Sequence, residues 1–194
     1  MGNSKSTVSV TYILVVSVSS FALAIIFFWI SSLLAERMGS LTLSVIFLIL
    51  IILAGILADI LGVSVTAASE APLHAKAAKR YAGAAEGVYL IRNADRVANL
   101  MNDVVGDIAG TVSGALGIAL ALQILIYWKG TSHFTLNILL TAIIAALTVG
   151  GKAAGKRAAL VHADDIVFAA GRFLHGISII TGREFRAKNK KASG

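Results

Sequence analysis

Residues 41–66 read LTLSVIFLILIILAGILADILGVSVT, and the first 18 of them carry no charged side chain. The hydrocarbon core of a bilayer needs about 20 apolar residues per helix, so this stretch predicts a transmembrane helix. Its one charged residue, Asp59, stands about two turns before the end that we assign to the cytoplasm. Ionisable residues at membrane depth usually have a function, so Asp59 is a first candidate site residue.

Three further stretches have the same character. Residues 11–34 and 131–151 carry no charge, and residues 104–128 carry only Asp107. Hydrophobic residues make up 57% of the chain and charged residues only 14%, with a mean hydropathy of +0.85. A soluble domain has about 25% charged residues. We therefore expect an all-α polytopic membrane protein with four transmembrane helices, forming one transmembrane domain over residues 11–182.

The basic residues predict the orientation. With four spans, both termini and the 67–103 segment share one side, and the other side carries only Arg37 and Lys129 of the 17 Lys and Arg residues. The positive-inside rule then predicts cytoplasmic termini in a cell inner or plasma membrane. Residues 1–10 form a cytoplasmic N-terminus and residues 183–194 a basic tail. We assign the net charge of +7 to contact with anionic lipid rather than with nucleic acid.

The segments on the cytoplasmic side are expected to be helical. The 67–103 segment is rich in Ala, Lys, Glu and Leu, and we expect Gly83 and Gly87 to divide it into two short juxtamembrane helices. Residues 164–182 repeat apolar side chains at helical spacing, which predicts an amphipathic helix. This helix either lies in the membrane interface or packs against another protein element, and the two alternatives are about equally favoured.

Two carboxylates, those of Asp59 and Asp107, are expected at similar depth in the inner leaflet. Asp103, Asp107 and Thr111 repeat every four residues and so share a helix face. A charged group at this depth is costly unless it faces a cavity, a partner or an ion. The stripe therefore indicates a site at a helix contact.

Small and polar residues flank this stripe. Gly106, Gly110 and Gly114 also repeat every four residues, and such a pattern lets a second helix backbone approach closely. In the fourth span, Asn137 and Thr141 share a face and are candidates for lining an ion path.

The oxygen ligands on these faces are hard ligands that suit Mg²⁺, Ca²⁺ or Mn²⁺. We expect Asp107 to be the main ligand, with Asp59, Asp103 and Thr111 assisting. The alternative is that both aspartates are protonated or hydrogen-bonded to neighbouring helices and that the glycines serve packing alone. We favour an ion or proton role, and we expect no cofactor other than a bound divalent cation.

Three patches carry a resemblance to a known family. They are Ala67-Ala-Ser-Glu-Ala71, then Asn93-Ala-Asp-Arg96 with Val105-Gly-Asp107, and Val149-Gly-Gly-Lys-Ala-Ala-Gly-Lys156. In order and spacing they resemble the transmembrane domain of the CNNM/CorB–CorC family of magnesium transport proteins. The matched patches of that family read Ser-x-Ser-Glu-Thr, Asn-Pro-Glu-Arg with a Gly-Asn pair, and a Phe-Gly-Glu-Ile-x-Pro-Lys turn. The resemblance covers about residues 41–180.

The resemblance implies a dimer of three-helix protomers with an inward-facing cation site, and it aligns Asp107 with a metal-binding asparagine. The sequence departs from the family in several ways. Gly151 replaces an acidic ligand, Val63 and Ala67 stand where serine ligands would fall, the CBS domains have no counterpart, and the first span is extra. The ion site is then either rebuilt around Asp59, Ser64 and Asp107 or lost.

These observations favour a dimeric transporter or channel for a divalent cation. The second hypothesis is a non-transporting scaffold or accessory subunit that binds another membrane protein, because several family ligands are missing. A membrane enzyme is the third, and it lacks any catalytic constellation in the sequence.

Overall fold

The computed structural model describes residues 10–37, 40–127, 130 and 132–181. These residues are all-α and contain no strand. The helices are α1 (Val10–Arg37), α2 (Leu41–Ala67), α3 (Glu70–Ala78), α4 (Ala84–Arg92), α5 (Ala94–Ala98), a π-helix (Asn99–Gly106), α6 (Asp107–Tyr127), α7 (His133–Val161) and α8 (Ala163–Thr181). The predicted basic tail 183–194 and nearly all of the predicted N-terminal segment 1–10 lie outside the described residues.

Within the described ranges, three helices are long and apolar enough to cross a membrane. They are Leu41–Ala67, Ala94–Ile126 and His133–Val161. The second of these begins ten residues before the predicted span 104–128, because α5, the π-helix and α6 run on from one another. The third ends ten residues after the predicted end at Gly151, since backbone hydrogen bonding continues through the basic residues that follow. Helix α1 carries the shorter apolar stretch Ile13–Trp29.

Helix α2 lies at the centre of the apolar bundle and packs against both α6 and α7. On one side Ile51 joins Val104, Ile108 and Val112, with Phe27 of α1 packed over them. On the other side a second core combines side chains of α2, α6 and α7, namely Leu48, Ile52, Leu120 and Ile144. Many aliphatic side chains on the outer surface stay exposed, as expected for helices whose solvent is lipid.

Helices α3, α4 and α8 form a second layer next to the end of α2. Their shared core consists of Val65, Leu73, Val88, Leu90 and Val167, which are almost fully buried. The turn before α4 is made by Gly83 in the left-handed conformation, with φ +86, where a side chain would be strained.

The prediction that both Gly83 and Gly87 interrupt the juxtamembrane segment was half right. Gly83 separates α3 from α4, whereas Gly87 lies inside α4. A Cβ at Gly87 would lie 3.1 Å from Leu73, so this glycine serves the contact between α3 and α4.

Helix α8 packs on protein along one face. Val167 and Gly171 are buried against the other juxtamembrane helices, and the His175 ring lies 2.8 Å from the buried carboxylate of Glu86 in α4. Phe173 and Ile180 point outward and are exposed. The expectation of a helix packed against another protein element therefore holds for the Val167 face, while the edge that carries Phe173 and Ile180 is uncovered by the described residues.

Candidate functional site

The ammonium group of Lys152 lies between the two aspartates. Its Nζ is 4.0 Å from Oδ1 of Asp59 and 3.9 Å from Oδ1 of Asp107. The three residues come from α7, α2 and α6, so one cation links the three described helices that are long and apolar enough to cross a membrane. Asp59 and Asp107 thus both lie within 4.0 Å of one cationic group, and that group belongs to the protein itself.

Asp59 is the buried member of this trio, with a side chain only 8% exposed. It shares the α2 face of Gly55 and Gly62, which is the face turned toward Ala109 and Asn102. Its Oδ2 atom is buried and has no hydrogen-bond partner among the described residues. Burying a carboxylate oxygen without a partner is costly, so the Lys152 charge is the main compensation that Asp59 receives.

Asp107 has a different environment, because its side chain is 75% exposed. It is the first residue of α6, directly after the π-helix. The Thr111 hydroxyl donates to the Asp107 backbone carbonyl at 2.9 Å, which leaves the Thr111 oxygen lone pairs available as acceptors. The carboxylate of Asp107 therefore faces Lys152 on one side and open space on the other.

The π-helix Asn99–Gly106 shapes the approach to the trio. It brings Asn102 against α2 so closely that a Cβ at Gly62 would overlap its side-chain oxygen. That oxygen is buried and has no hydrogen-bond partner within the described ranges. A Cβ at Gly106 would lie 3.3 Å from Lys152 Nζ, so this glycine leaves the room that the ammonium group occupies. π-Helical turns are frequent at functional sites.

A cavity of about 510 Å³ lies between α1 and α6 beside Asp107. Asp103 and Thr111, two of the predicted ligands, line it together with Asp107. Phe21 and Phe28 of α1 form the opposite wall. The predicted polar stripe, which runs from the π-helix into α6, thus faces a space that has carboxylates on one side and aromatic rings on the other.

Other predicted site residues lie elsewhere. Ser64 is fully buried. Its hydroxyl donates to the carbonyl oxygen of Ile60 at 2.8 Å and lies 3.4 Å from that of Ala159, so it sits at the contact of α2 with α7. The amide nitrogen of Asn137 lies 3.3 Å from a ring nitrogen of His133, and its Oδ1 has no partner among the described residues. Thr141 is exposed on the outer surface of α7.

The three glycines of the predicted packing stripe, Gly106, Gly110 and Gly114, also differ in their surroundings. Gly106 is in contact across the bundle, whereas Cβ atoms at Gly110 and Gly114 would meet no described atom within 4 Å. Close packing against α2 is thus found only for the first of the three glycines.

The predicted five-residue metal site is not assembled as one group. No cluster of three or more His, Asp and Glu side chains able to hold a metal ion occurs in the part of the chain that the structure describes. The nearest arrangement is the pair of carboxylates around Lys152, with Asp103 and Thr111 on the cavity side.

Sequence reasoning missed Lys152 and Asn102. Hydropathy places Lys152 outside the apolar run, because the uncharged span ends at Gly151. A helix can continue past such a boundary, and the long stem of a lysine one residue beyond it can reach back to carboxylates inside the apolar bundle. The position of Lys152, one residue after the apolar run, was therefore a usable signal in the sequence. The π-helix that positions Asn102 has no comparable signature in residue type.

No family model, no curated protein and no solved structure matches the chain. The resemblance to the CNNM/CorB–CorC family stays a prediction drawn from the residues. The 149–156 patch, which the resemblance compares with a turn, is continuous helix within α7.

Proposed function

We propose that the protein transports a divalent cation across a cell inner or plasma membrane, with Asp59 and Asp107 as the acidic ligands. The observation that carries this proposal is the convergence of these two carboxylates on one cationic group, Lys152 Nζ, at 4.0 Å and 3.9 Å. In the proposed topology α1 is a fourth span and both termini are cytoplasmic.

The charges of the trio support a divalent cargo. Two carboxylates and one ammonium group leave a net charge of −1, so the arrangement favours further positive charge. A divalent ion that replaces the Lys152 ammonium neutralises both carboxylates at once. Opposite charges 4 Å apart attract by about 4 kcal/mol at an effective dielectric constant of 20, so the lysine competes strongly but reversibly.

Further oxygen atoms are available on Asp59 itself and on Asn102, which packs against Gly62 one turn along α2 from Asp59. Oδ2 of Asp59 and Oδ1 of Asn102 have no hydrogen-bond partner among the described residues. Carboxylate and amide oxygens of this kind are ligands for Mg²⁺ and Mn²⁺. Lys152 is 21% exposed and its flexible stem allows the ammonium group to move away when an ion enters.

The proposed path uses the cavity on one side of the trio and polar residues on the other. Asp103 and Thr111 lead toward Asp107 through the cavity between α1 and α6. Asn137 would receive the ion in the opposite half of the bundle, where its unpartnered Oδ1 is buried. A homodimer is part of the proposal, as the family resemblance implies.

Flux into proteoliposomes tests the transport proposal. Vesicles with a Mg²⁺- or Mn²⁺-sensitive dye inside should report uptake by the wild type, and Asp59→Asn and Asp107→Asn should abolish it. Asp95→Asn is the matched control, because it removes an exposed carboxylate of α5 outside the trio. Equal uptake by Asp107→Asn and Asp95→Asn would overturn the proposal.

A non-transporting membrane scaffold or accessory subunit is the second candidate. The observation in its favour is that Lys152 already neutralises part of the acidic charge, so the trio can act as an internal clamp between three helices. Folded protein that gives no flux for any divalent cation, together with a stable stoichiometric complex with another membrane protein, would support this candidate.

A further inference from the structure

The cavity between α1 and α6 has two chemically different walls. Asp103 of the π-helix lies with Asp107 and Thr111 of α6 along one wall, called the α6 wall, and Phe21 and Phe28 lie along the α1 wall. Its volume of about 510 Å³ is within the range of small-molecule sites, about 300–1,000 Å³. The cavity is therefore large enough for an organic molecule.

The α6 wall favours a cation. Lys152 approaches Asp107 from the bundle interior at 3.9 Å, while most of the Asp107 side chain stays exposed. Asp103 adds a second carboxylate on the cavity side. Since the Thr111 hydroxyl donates its proton to a backbone carbonyl, its oxygen can accept a hydrogen bond from an incoming ammonium group. Anions are repelled from this wall.

The α1 wall favours an apolar body. Phe21 and Phe28 are 69% and 58% exposed, so most of each side chain is left uncovered by the described residues. Ile108 and Val112 of α6 extend the same apolar lining. A small hydrated metal ion makes no favourable contact with such a wall. An apolar group that covers the wall removes apolar surface from water, which favours binding, and an aromatic ring also attracts a cationic centre.

We infer that this cavity binds a lipophilic monocation, an organic amine or phosphonium with an apolar body. The positive centre pairs with Asp107 and Asp103, and the apolar body lies against Phe21 and Phe28. Such a ligand reaches the cavity from the lipid phase and needs no path through the bundle. The inference does not depend on divalent cation transport, since it uses only the cavity side of Asp107.

Tetraphenylphosphonium is a suitable probe, because its charge is shielded by four phenyl rings. Binding to protein purified in a non-ionic detergent is measured by equilibrium dialysis, with protein-free micelles as the background. We expect saturable binding at one site per chain. Asp107→Asn should raise the dissociation constant about tenfold or more, because the variant loses one interaction with a charged group.

The aromatic wall is tested separately. Phe21→Ala and Phe28→Ala should each weaken binding, whereas Phe134→Ala should not, because Phe134 is an exposed aromatic residue of α7 that does not line the cavity. These variants keep the inference testable if Asp107→Asn fails to fold. Asp95→Asn serves as the control for removal of a carboxylate.

Three results would overturn the inference. One is unchanged binding in Asp107→Asn protein whose fold is intact. Another is equal competition by uncharged triphenylphosphine oxide, which would show that charge is irrelevant. The third is equal weakening by Phe21→Ala and Phe134→Ala. If the protein binds phosphonium but shows no divalent flux, the proposed transport fails while this inference stands.

Discussion

The ammonium nitrogen of Lys152 lies 4.0 Å from a carboxylate oxygen of Asp59, inside a bundle whose outer surface is apolar. Both side chains are largely withdrawn from solvent. Removing one member of a buried ion pair leaves the other charge uncompensated, which costs more than replacing both by apolar groups. Lys152 and Asp59 therefore depend on each other for stability.

Lys152→Met should lower the free energy of unfolding by roughly 3–5 kcal/mol, the usual cost of breaking a buried pair. Lys156→Met is the matched control, because Lys156 lies one turn further along α7 and is exposed. Unfolding in mixed micelles, followed by circular dichroism, measures both variants. Equal stabilities would show that the pair contributes nothing to the fold.

The two aspartates should respond differently to neutralisation. Asp107→Asn should change stability by about 1 kcal/mol or less, since Asp107 is mostly exposed and exposed ion pairs contribute little. Asp59→Asn should cost more, because the 8% exposed Asp59 is the partner that Lys152 meets inside the bundle. The same unfolding assay shows which variant loses more stability. A larger loss of stability for Asp107→Asn than for Asp59→Asn would contradict the prediction.

Hydropathy predicts the parts of the fold that depend on lipid. The apolar runs locate α2, α6 and α7, and a charge inside such a run is visible at once, which is how Asp59 and Asp107 are found. Helix ends are less visible, because hydrogen bonding along α7 continues beyond the apolar run to Val161. Hydropathy therefore places Lys152 outside the apolar bundle, whereas its ammonium group lies beside Asp59 and Asp107.

Contacts between helices are the least predictable part. Nothing in residue type distinguishes Gly106, which is in contact, from Gly110 and Gly114, where a Cβ would meet no described atom within 4 Å. The difference depends on where α2 and α7 cross the π-helix and α6. The π-helix Asn99–Gly106 likewise depends on tertiary packing rather than on propensity. The cavity beside Asp107 requires the position of α1, which hydropathy does not specify.

Gly171→Ala should destabilise the juxtamembrane layer. A Cβ at Gly171 would collide with the backbone oxygen of Gly83 and lie 2.8 Å from the backbone nitrogen of Gly87. Backbone atoms cannot move aside as a flexible side chain can, so a cost of roughly 1–3 kcal/mol or more is expected. Gly176→Ala is the control.

Gly176 lies in the same helix, and a Cβ there would meet no described atom within 4 Å. Its replacement by alanine should stabilise the helix by about 0.5–1 kcal/mol. Amide hydrogen exchange of α4 and α8 measures both effects. Similar exchange rates in the two variants would rule out the close approach of α4 and α8.

Glu70 should give the juxtamembrane layer a response to acid. Hydrogen bonds from His74 at 3.0 Å and Arg92 Nε at 3.2 Å hold the pKa of Glu70 below its ordinary value of 4.5, against a smaller opposing effect of desolvation. Because the folded pKa is depressed, the stabilisation is fully present above pH 4.5 and is lost as the pH falls through the folded pKa.

Titration of the Glu70 carboxyl carbon by NMR gives its midpoint directly. Arg92→Gln and His74→Gln should each raise that midpoint toward the ordinary value, since each removes a donor to the ionised form. Neither substitution alters the Asp59 trio, so divalent flux at neutral pH should persist. An unchanged midpoint in both variants would disprove the proposed cause.

Gly106→Ala should disturb the trio, whereas Gly110→Ala should not. A Cβ at Gly106 would lie 3.3 Å from both Lys152 Nζ and the Met101 backbone oxygen, so the ammonium group must shift slightly, and the backbone oxygen cannot move aside as a flexible side chain can. At Gly110 the added methyl group meets open space among the described residues, and alanine improves helix propensity by about 0.5–1 kcal/mol. We therefore expect lower stability for Gly106→Ala and equal or higher stability for Gly110→Ala. Destabilisation by Gly110→Ala would mean that this face of α6 is covered in the membrane, and a simultaneous loss of the dimer in cross-linking would identify a second copy of the chain as what covers it.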